Sequence, residues 1–312
     1  MEQSEKKQST KQLLVFLGIT FLITYLYEFL FVGNLSKLPA LAPYTTYFVA
    51  GAMFLPAIGM LLTRLITHEG FKNLFVAPKF KGHIRFYLAA WILPWVAIIL
   101  GAVLYFVVFP QSFDPNMGAI AQSYAAQGMD FDADAMRIMI ISQILMSLLL
   151  SPILNIITCA GEEWGWRGYM MPKLTERFKF LPACLIGGLI WGLWHMPLTI
   201  MGHNYGLGYA GYPFTGIAAM CVFCIVVGTF LTYVSLKTGS FWPAAIAHGM
   251  LNGIAAVGIY FTAADSAPNP FVGPAATGIL GGAGLIVLAL VCLLLWNKKP
   301  KAHTVESPEI SE

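Results

Sequence analysis

Two adjacent carboxylates, Glu162 and Glu163, stand at the end of a long apolar stretch, within the heptapeptide Gly-Glu-Glu-Trp-Gly-Trp-Arg at 161–167. Carboxylates inside a membrane span cost about 2.5–3.5 kcal/mol on insertion scales, so they usually face a wet cavity and mark a functional site. On a helix, Glu163 and Arg167 are spaced for an ion pair, whereas Glu162 and Arg167 point apart. The spacing assigns Arg167 to Glu163 and leaves Glu162 available as a general base, unless a neighbouring helix reverses this assignment.

Further polar residues lie on two later apolar stretches. His195 ends the segment Trp-Gly-Leu-Trp-His that begins at Trp191. His248 and Asn252 are four residues apart, so they share one face of a helix. Counted along the helices, the depth of Glu162 falls between those of the two histidines, which allows all of these groups to converge.

Such a set of side chains suits hydrolysis of a peptide bond. A carboxylate and an imidazole can deprotonate water, and an N–H of His or Asn can stabilise an oxyanion. Glu162, His195 and His248 could instead hold Zn²⁺ with an open position. The sequence has no Gly-x-Ser-x-Gly, no His-Glu-x-x-His and no pair of aspartates on two spans, which disfavours the corresponding protease classes.

The composition indicates a polytopic membrane protein. The chain has 312 residues, of which 58% are hydrophobic and 11% charged, and its mean hydropathy is +0.71. A soluble domain of this size would carry about twice that charge. The net charge of +3 is small and does not suggest nucleic-acid binding. We therefore predict an all-α bundle of about eight transmembrane helices around an intramembrane polar cavity, embedded in the lipid bilayer.

The apolar segments define one domain. They are about 13–32, 46–66, 84–109, 138–161 or further, 181–200, 214–236, 241–262 and 275–296. The domain spans 13–296, its motif core spans 162–252, and the polar tails 1–12 and 297–312 are predicted to be disordered. Lysine and arginine concentrate in alternate loops, so the positive-inside rule predicts a multi-pass protein of the cell membrane with both termini cytoplasmic.

Three motifs follow one another on these segments: Glu162-Glu163-x-x-x-Arg167, then Trp191-x-x-x-His195, then His248-x-x-x-Asn252. In this order they resemble the motifs of the CPBP family, which contains the CAAX-prenyl endopeptidases of the Rce1 type and the bacteriocin-processing or immunity proteins also called Abi. The sequence departs from the family at Trp191, where the second motif commonly has phenylalanine. An aromatic wall is preserved.

The resemblance implies an intramembrane endopeptidase whose conical cavity opens to the cytoplasmic side. Glu162 and His195 would activate water, and His248 and Asn252 would form the oxyanion site. The resemblance leaves open whether a metal takes part. The supporting residues would be Glu163, Arg167 and Trp191.

The expected substrate is a hydrophobic peptide or the C-terminal segment of a protein. Prenylation of that substrate is less favoured than a remnant signal peptide, a bacteriocin or a signalling peptide, and the sequence leaves it open. A noncatalytic scaffold or immunity protein of the same fold is the alternative, although a scaffold has no need of uncompensated polar groups in lipid. A proton- or ion-coupled transporter ranks last, because the sequence shows no paired broken helices. Glu28, Asn155 and His203 are interpreted as structural, with His203 across the membrane from the entrance, and the sequence does not indicate an oligomeric state.

Overall fold

The protein is all-helical. The computed structural model describes residues 2–35, 37–129 and 132–297. Within these ranges there is no strand, and an isolated bridge joins Phe113 to Thr262. The predicted all-α class is confirmed.

The described residues form fourteen α-helices of four or more residues, and two π-helical segments interrupt them. The helices are α1 (Glu2–Leu26), α2 (Thr45–Ala52), α3 (Leu55–Ile66), α4 (Ile84–Val108), α5 (Gly118–Ala126), α6 (Ala133–Leu154), α7 (Ile156–Gly165), α8 (Met171–Thr175), α9 (Phe180–Trp194), α10 (Met196–Ile200), α11 (Phe214–Thr238), α12 (Trp242–Ile254), α13 (Val257–Tyr260) and α14 (Ala283–Trp296). The π-helical segments are Tyr27–Val32 and Trp166–Met170.

Six helical stretches in the described part of the chain are long and apolar enough to cross a membrane. The shorter apolar helices α9 and α14 occupy the fifth and eighth predicted segments. The polytopic helix bundle is thereby confirmed, although the last helix begins at Ala283 and not at 275, because 275–282 form turns and bends. The prediction that the N-terminal tail is disordered was also wrong, since residues 2–12 belong to α1. Of the other tail, 298–312 lie outside the described residues.

Consecutive segments alternate between two faces of the molecule. On the terminal face, named for the N-terminal helix that begins there, Lys173 Nζ donates to Gln12 Oε1 at 2.9 Å. Lys237 Nζ, near the end of α11, donates to Trp296 O at the end of α14 at 3.0 Å. These contacts join helix ends that the eight-segment plan places on one side.

The opposite face, here called the far face, carries the segments 109–129, 201–213 and 261–282 that connect the long helices. Two of these segments meet where the hydroxyl of Tyr205 donates to Thr277 O at 3.4 Å. The contacts on both faces agree with the alternating path predicted from the apolar segments.

Small residues bring α9 close to α11. A Cβ added at Gly188 would collide with the backbone of Ile225, and one added at Gly192 would collide with Cys221. Glycine one turn apart allows such an approach in membrane helices. The packing role predicted for this pair is confirmed, and it sets Trp191, which lies between the two glycines, in the core.

The helix that bears the two carboxylates is longer than predicted. It was expected to end near Met171, but the π-helical segment Trp166–Met170 leads directly into α8, which continues to Thr175. Pro172 falls in the first turn of α8, where a proline is tolerated because the missing N–H is not needed. π-Helical turns inside longer helices are frequent at functional sites.

Candidate active site

Glu162 and Glu163 lie where α7 crosses α3. A Cβ added at Gly165 would lie 2.6 Å from backbone atoms of Pro56, and one at Gly161 would lie 3.1 Å from the carbonyl oxygen of Met53. The two glycines therefore let α7 press against the chain around the start of α3. As a result the carboxylates are only 1% and 0% exposed.

Glu163 is the centre of a buried ion-pair triad. Its Oε1 accepts from Arg167 Nη1 at 3.0 Å, the ion pair predicted from the spacing, and it lies 2.8 Å from His248 Nδ1 on α12. Glu163 and Arg167 are 0% and 3% exposed, so removing one partner would leave an uncompensated buried charge. The triad fixes Arg167 and His248 relative to α7.

Glu162 finds its partner on another helix. The indole Nε1–H of Trp191 donates to Glu162 Oε1 at 2.5 Å. The guanidinium of Arg167 lies over the same indole ring. Its central carbon is 4.1 Å from the ring centroid, which is a favourable cation–π geometry. Because Oε1 is engaged by the indole, Oε2 is the oxygen that Glu162 can offer to another group.

His195 follows the last residue of α9 and is also held by Trp191. Its Nδ1 lies 2.9 Å from the carbonyl oxygen of Trp191. A carbonyl only accepts, so Nδ1 carries the proton and Nε2 is left as an acceptor. The ring packs edge-on against Trp194 with 4.8 Å between centroids. Trp191 thus orients both residues that were predicted to activate water.

The structure brings the four predicted catalytic residues to one cavity of about 270 Å³. Glu162, His195, His248 and Asn252 all line it. Asn252 is exposed there, and its Nδ2 lies 3.6 Å from Cys159 Sγ. The convergence that the helix depths allowed is found, and the catalytic roles remain predictions.

The cavity reaches toward the far face. Its wall includes Thr46 at the start of α2 and His203 in a far-face loop. On the other side, the loop after α3 covers the motif helix, where Trp164 Nε1 donates to Leu74 O at 2.9 Å. The expected opening on the side of the basic loops stays a prediction. His203 is not remote from the cavity as expected, because the short helix α9 ends at its centre and the chain continues along its wall.

The same side chains include a group with the spacing of metal ligands. Among the described residues, ligand atoms of Glu162, Glu163 and His248 lie within 4.8 Å of one another, and His195 is not part of this group. Carboxylates and imidazole suit zinc. However, Glu163 Oε1 is already bound at 3.0 Å by Arg167, whose positive charge would repel a metal ion. The residues as arranged fit an ion-pair triad better than a zinc site.

Three features of the site were missed from the sequence. Glu28 is fully buried in a π-helical segment, and neither of its oxygens has a hydrogen-bond partner among the described residues. It lies near enough to Glu162 for their charges to interact. Nothing in the sequence indicated that His203 would line the cavity. The hydrogen bond from the indole N–H of Trp191 could have been suspected, because tryptophan replaces the phenylalanine that is common in the family this sequence resembles. By contrast, the side-chain Nδ2 of Asn155 donates hydrogen bonds to Ser151 O at 3.0 Å and to Gly249 O at 3.3 Å, as expected of a structural residue.

Fold and site together define a polytopic membrane helix bundle in which a Glu–Glu–Arg motif, a His and a His–Asn pair meet at one cavity. Residues 139–254 match the family of the type II CAAX prenyl endopeptidase, Rce1-like. A relative named CAAX prenyl protease 2, from Methanococcus maripaludis, is 29% identical over 91 residues. That alignment covers 29% of this chain and 29% of the relative's length. Over 139–254 the chain is therefore similar to Rce1-type CAAX prenyl endopeptidases, and both matches are to proteases.

Proposed function

We propose that the protein is an intramembrane endopeptidase that hydrolyses a peptide bond of a hydrophobic or membrane-associated substrate. The observation that carries this proposal is the shared cavity, because Glu162, His195, His248 and Asn252 come from three separate helical regions and all line it. Polar groups that face open space inside a membrane protein are costly unless they serve a ligand or a reaction.

The geometry supports a direct activation of water. Glu162 Oε2 and His195 Nε2 are both acceptors, so one water molecule could donate a hydrogen to each and point its lone pair at a peptide carbonyl. Glu162 would take the proton as the oxygen attacks the carbonyl carbon. When the tetrahedral intermediate collapses, the C–N bond breaks and Glu162 returns the proton to the leaving amine.

The oxyanion would be stabilised from the α12 side. Asn252 presents its amide N–H groups, and His248 in its protonated form presents Nε2–H, because its Nδ1 is directed at Glu163. A preformed donor of this kind is worth about 2.7–4 kcal/mol of transition-state stabilisation. Glu163 and Arg167 would support the site by holding His248 in place.

For the cofactor we favour a metal-free, glutamate-dependent reaction over a zinc enzyme, because the positive charge of Arg167, 3.0 Å from Glu163 Oε1, would oppose a metal ion at this position. A chelator added to the cleavage assay separates the two mechanisms. Undiminished cleavage supports direct activation by Glu162, whereas loss of cleavage restored by Zn²⁺ supports a zinc enzyme.

The substrate class follows from the apolar part of the cavity wall, to which Val49, Ala50, Met53 and Leu198 contribute. We infer a hydrophobic peptide or a protein C-terminal segment that reaches the site from the bilayer. The names of the matched proteases raise the prenylated C-terminus as a specific substrate to test. We place the protein in the cell membrane with both termini cytoplasmic, following the positive-inside rule.

The decisive test is cleavage of a hydrophobic model peptide by the purified chain in proteoliposomes. Glu162→Gln and His195→Ala should each lower kcat by about a hundredfold to ten thousandfold, the usual share of general acid–base catalysis. Both variants should keep the elution profile and melting temperature of the parent protein. Full activity in both would refute the peptidase mechanism and favour a noncatalytic scaffold or immunity protein of the same fold.

A further inference from the structure

A wedge-shaped groove lies between α4, α11 and α14, away from the cavity of the proposed active site. Helices α4 and α14 cross in contact at Gly284, where an added Cβ would collide with the backbone of Ala97. From this crossing both helices run toward the terminal face and carry larger side chains, including Phe86 and Leu295. The small residues close the groove at one end and the large ones leave it open at the other, with a volume of about 390 Å³.

The body of the groove is apolar. Phe86, Ala89 and Leu93 line it from α4, and Leu288 and Leu295 line it from α14. Seven residues separate Phe86 from Leu93, so the groove extends about 10 Å along the helix axis. Its walls face the bilayer and match a lipid acyl chain in polarity and in direction.

The mouth of the groove is cationic. Arg85 is exposed there, and within the described residues it has no hydrogen bond or salt bridge; its contact is with the ring of Phe86, 4.9 Å from the guanidinium carbon. The hydroxyl of Tyr233 also has no hydrogen-bond partner among the described residues, and Tyr233 lines the same groove as Arg85. No carboxylate lines this groove. A guanidinium and a phenol are thus both available to one anionic group.

Neighbouring residues place this mouth at the membrane surface. Lys237 Nζ lies 4.5 Å from the ring centroid of Trp296 and 5.7 Å from that of Tyr233. Tryptophan and tyrosine concentrate at the lipid headgroup level, and basic pockets between membrane helices bind anionic headgroups. The position at the membrane surface, the positive charge and the apolar groove all indicate a ligand with an anionic headgroup and an acyl chain.

We propose that the groove between α4, α11 and α14 binds an anionic phospholipid, with an acyl chain along the groove and the phosphate on Arg85 and Tyr233. The guanidinium can donate two parallel hydrogen bonds to phosphate oxygens. A zwitterionic lipid gains less here, because it brings its own cation to a site that already holds one. The proposal does not depend on peptidase activity.

The test compares phosphatidylglycerol with phosphatidylcholine bound to the full chain in detergent, using native mass spectrometry to count adducts and a melting curve to measure stabilisation. The parent protein should prefer phosphatidylglycerol. Arg85→Gln should lower that preference about fivefold, the value of one basic residue near an anionic headgroup. Lys81→Gln is the matched control, because it removes one charge from the same face but does not line the groove.

Two further arms separate the alternatives. Ala89→Leu narrows the groove and should weaken both lipids while keeping the preference between them. Glycerol phosphate, which has the anion but no acyl chain, should not stabilise the protein. The proposal is overturned if Arg85→Gln keeps the full preference, if Lys81→Gln loses as much, or if glycerol phosphate stabilises as well as the lipid. Tyr233→Phe removes the second contact and provides an independent variant should Arg85→Gln not fold.

Discussion

Two polar clusters lie along the same stretch of helix, and they are built in opposite ways. The terminal-face cluster consists of Gln12, Arg64, Glu69, Tyr169 and Lys173. Glu69 accepts from Tyr169 at 2.6 Å through one oxygen and from Lys173 at 2.8 Å through the other. Both carboxylate oxygens are used within the protein, which leaves this cluster little to offer to a ligand.

The cavity cluster, formed by the motif residues, is only half paired. Glu163 is bound to Arg167 and His248. Glu162 Oε2 and His195 Nε2, in contrast, have no hydrogen-bond partner among the described residues, and both side chains line the cavity together with Asn252. A buried group whose partners are complete stabilises a fold, and a group left incomplete is available for substrate. One helical segment thus has a part that we propose to be catalytic and a part that anchors the fold.

The largest expected difference between the clusters concerns loss of a cation. Arg167→Met leaves Glu163 charged and 0% exposed, so we expect a loss of about 3–5 kcal/mol in the free energy of unfolding. Lys173→Met should cost less, about 1 kcal/mol, because Glu69 keeps its contacts with Arg64 at 3.7 Å and with the hydroxyl of Tyr169 at 2.6 Å. Denaturant titration in detergent micelles measures both.

The double variant Arg167→Met with Glu163→Gln checks the cause. It removes both charges, so it should be more stable than Arg167→Met alone. Equal losses for Arg167→Met and Lys173→Met would contradict the distinction between the clusters.

A smaller effect is expected on the rate, from Trp191→Phe. This change keeps an aromatic ring and deletes the N–H that orients Glu162. A hydrogen bond to a charged group is worth about 1.5–3 kcal/mol, which corresponds to roughly a ten- to hundredfold decrease in kcat. KM should change little, because Trp191 Nε1 bonds the carboxylate and not the substrate.

Trp166→Phe is the matched control for that measurement. Trp166 is as deeply buried, and its Nε1 has no partner among the described residues, so the same atoms are removed without loss of a hydrogen bond. Its kcat should stay within about twofold of the parent value. An equal fall in both variants would mean that Trp191 acts only by filling space.

The sequence predicted the parts of this site that depend on spacing within one helix. The ion pair of Glu163 with Arg167 followed from a four-residue separation, and the shared face of His248 and Asn252 followed in the same way. Contacts between helices were out of reach, because periodicity does not fix which face meets which neighbour. The bond from Trp191 to Glu162 and the position of His203 in the cavity wall belong to that second kind.

The same limit applies to the fold. Hydrophobic segments located the helices, because a span needs about 20 apolar residues. They misplaced the start of the last helix, because 275–282 are apolar but form turns and bends. This stretch is rich in glycine, which does not lower the mean hydropathy much but disfavours a helix. The polar residues of 2–12 were assigned to a tail for the converse reason, because low hydropathy does not exclude a helix that extends beyond the bilayer.

The smallest predicted effect tests the anchoring role of the terminal-face cluster. Tyr169→Phe removes the hydroxyl that donates to Glu69 and leaves the bond from Lys173 to the same carboxylate in place. We expect a loss of about 0.5–1.5 kcal/mol in stability, the net value of one hydrogen bond, and no change in kcat. Melting curves and cleavage rates on the same preparation measure the two quantities together. A tenfold fall in kcat with unchanged stability would place Tyr169 in the reaction and remove the boundary between the two clusters.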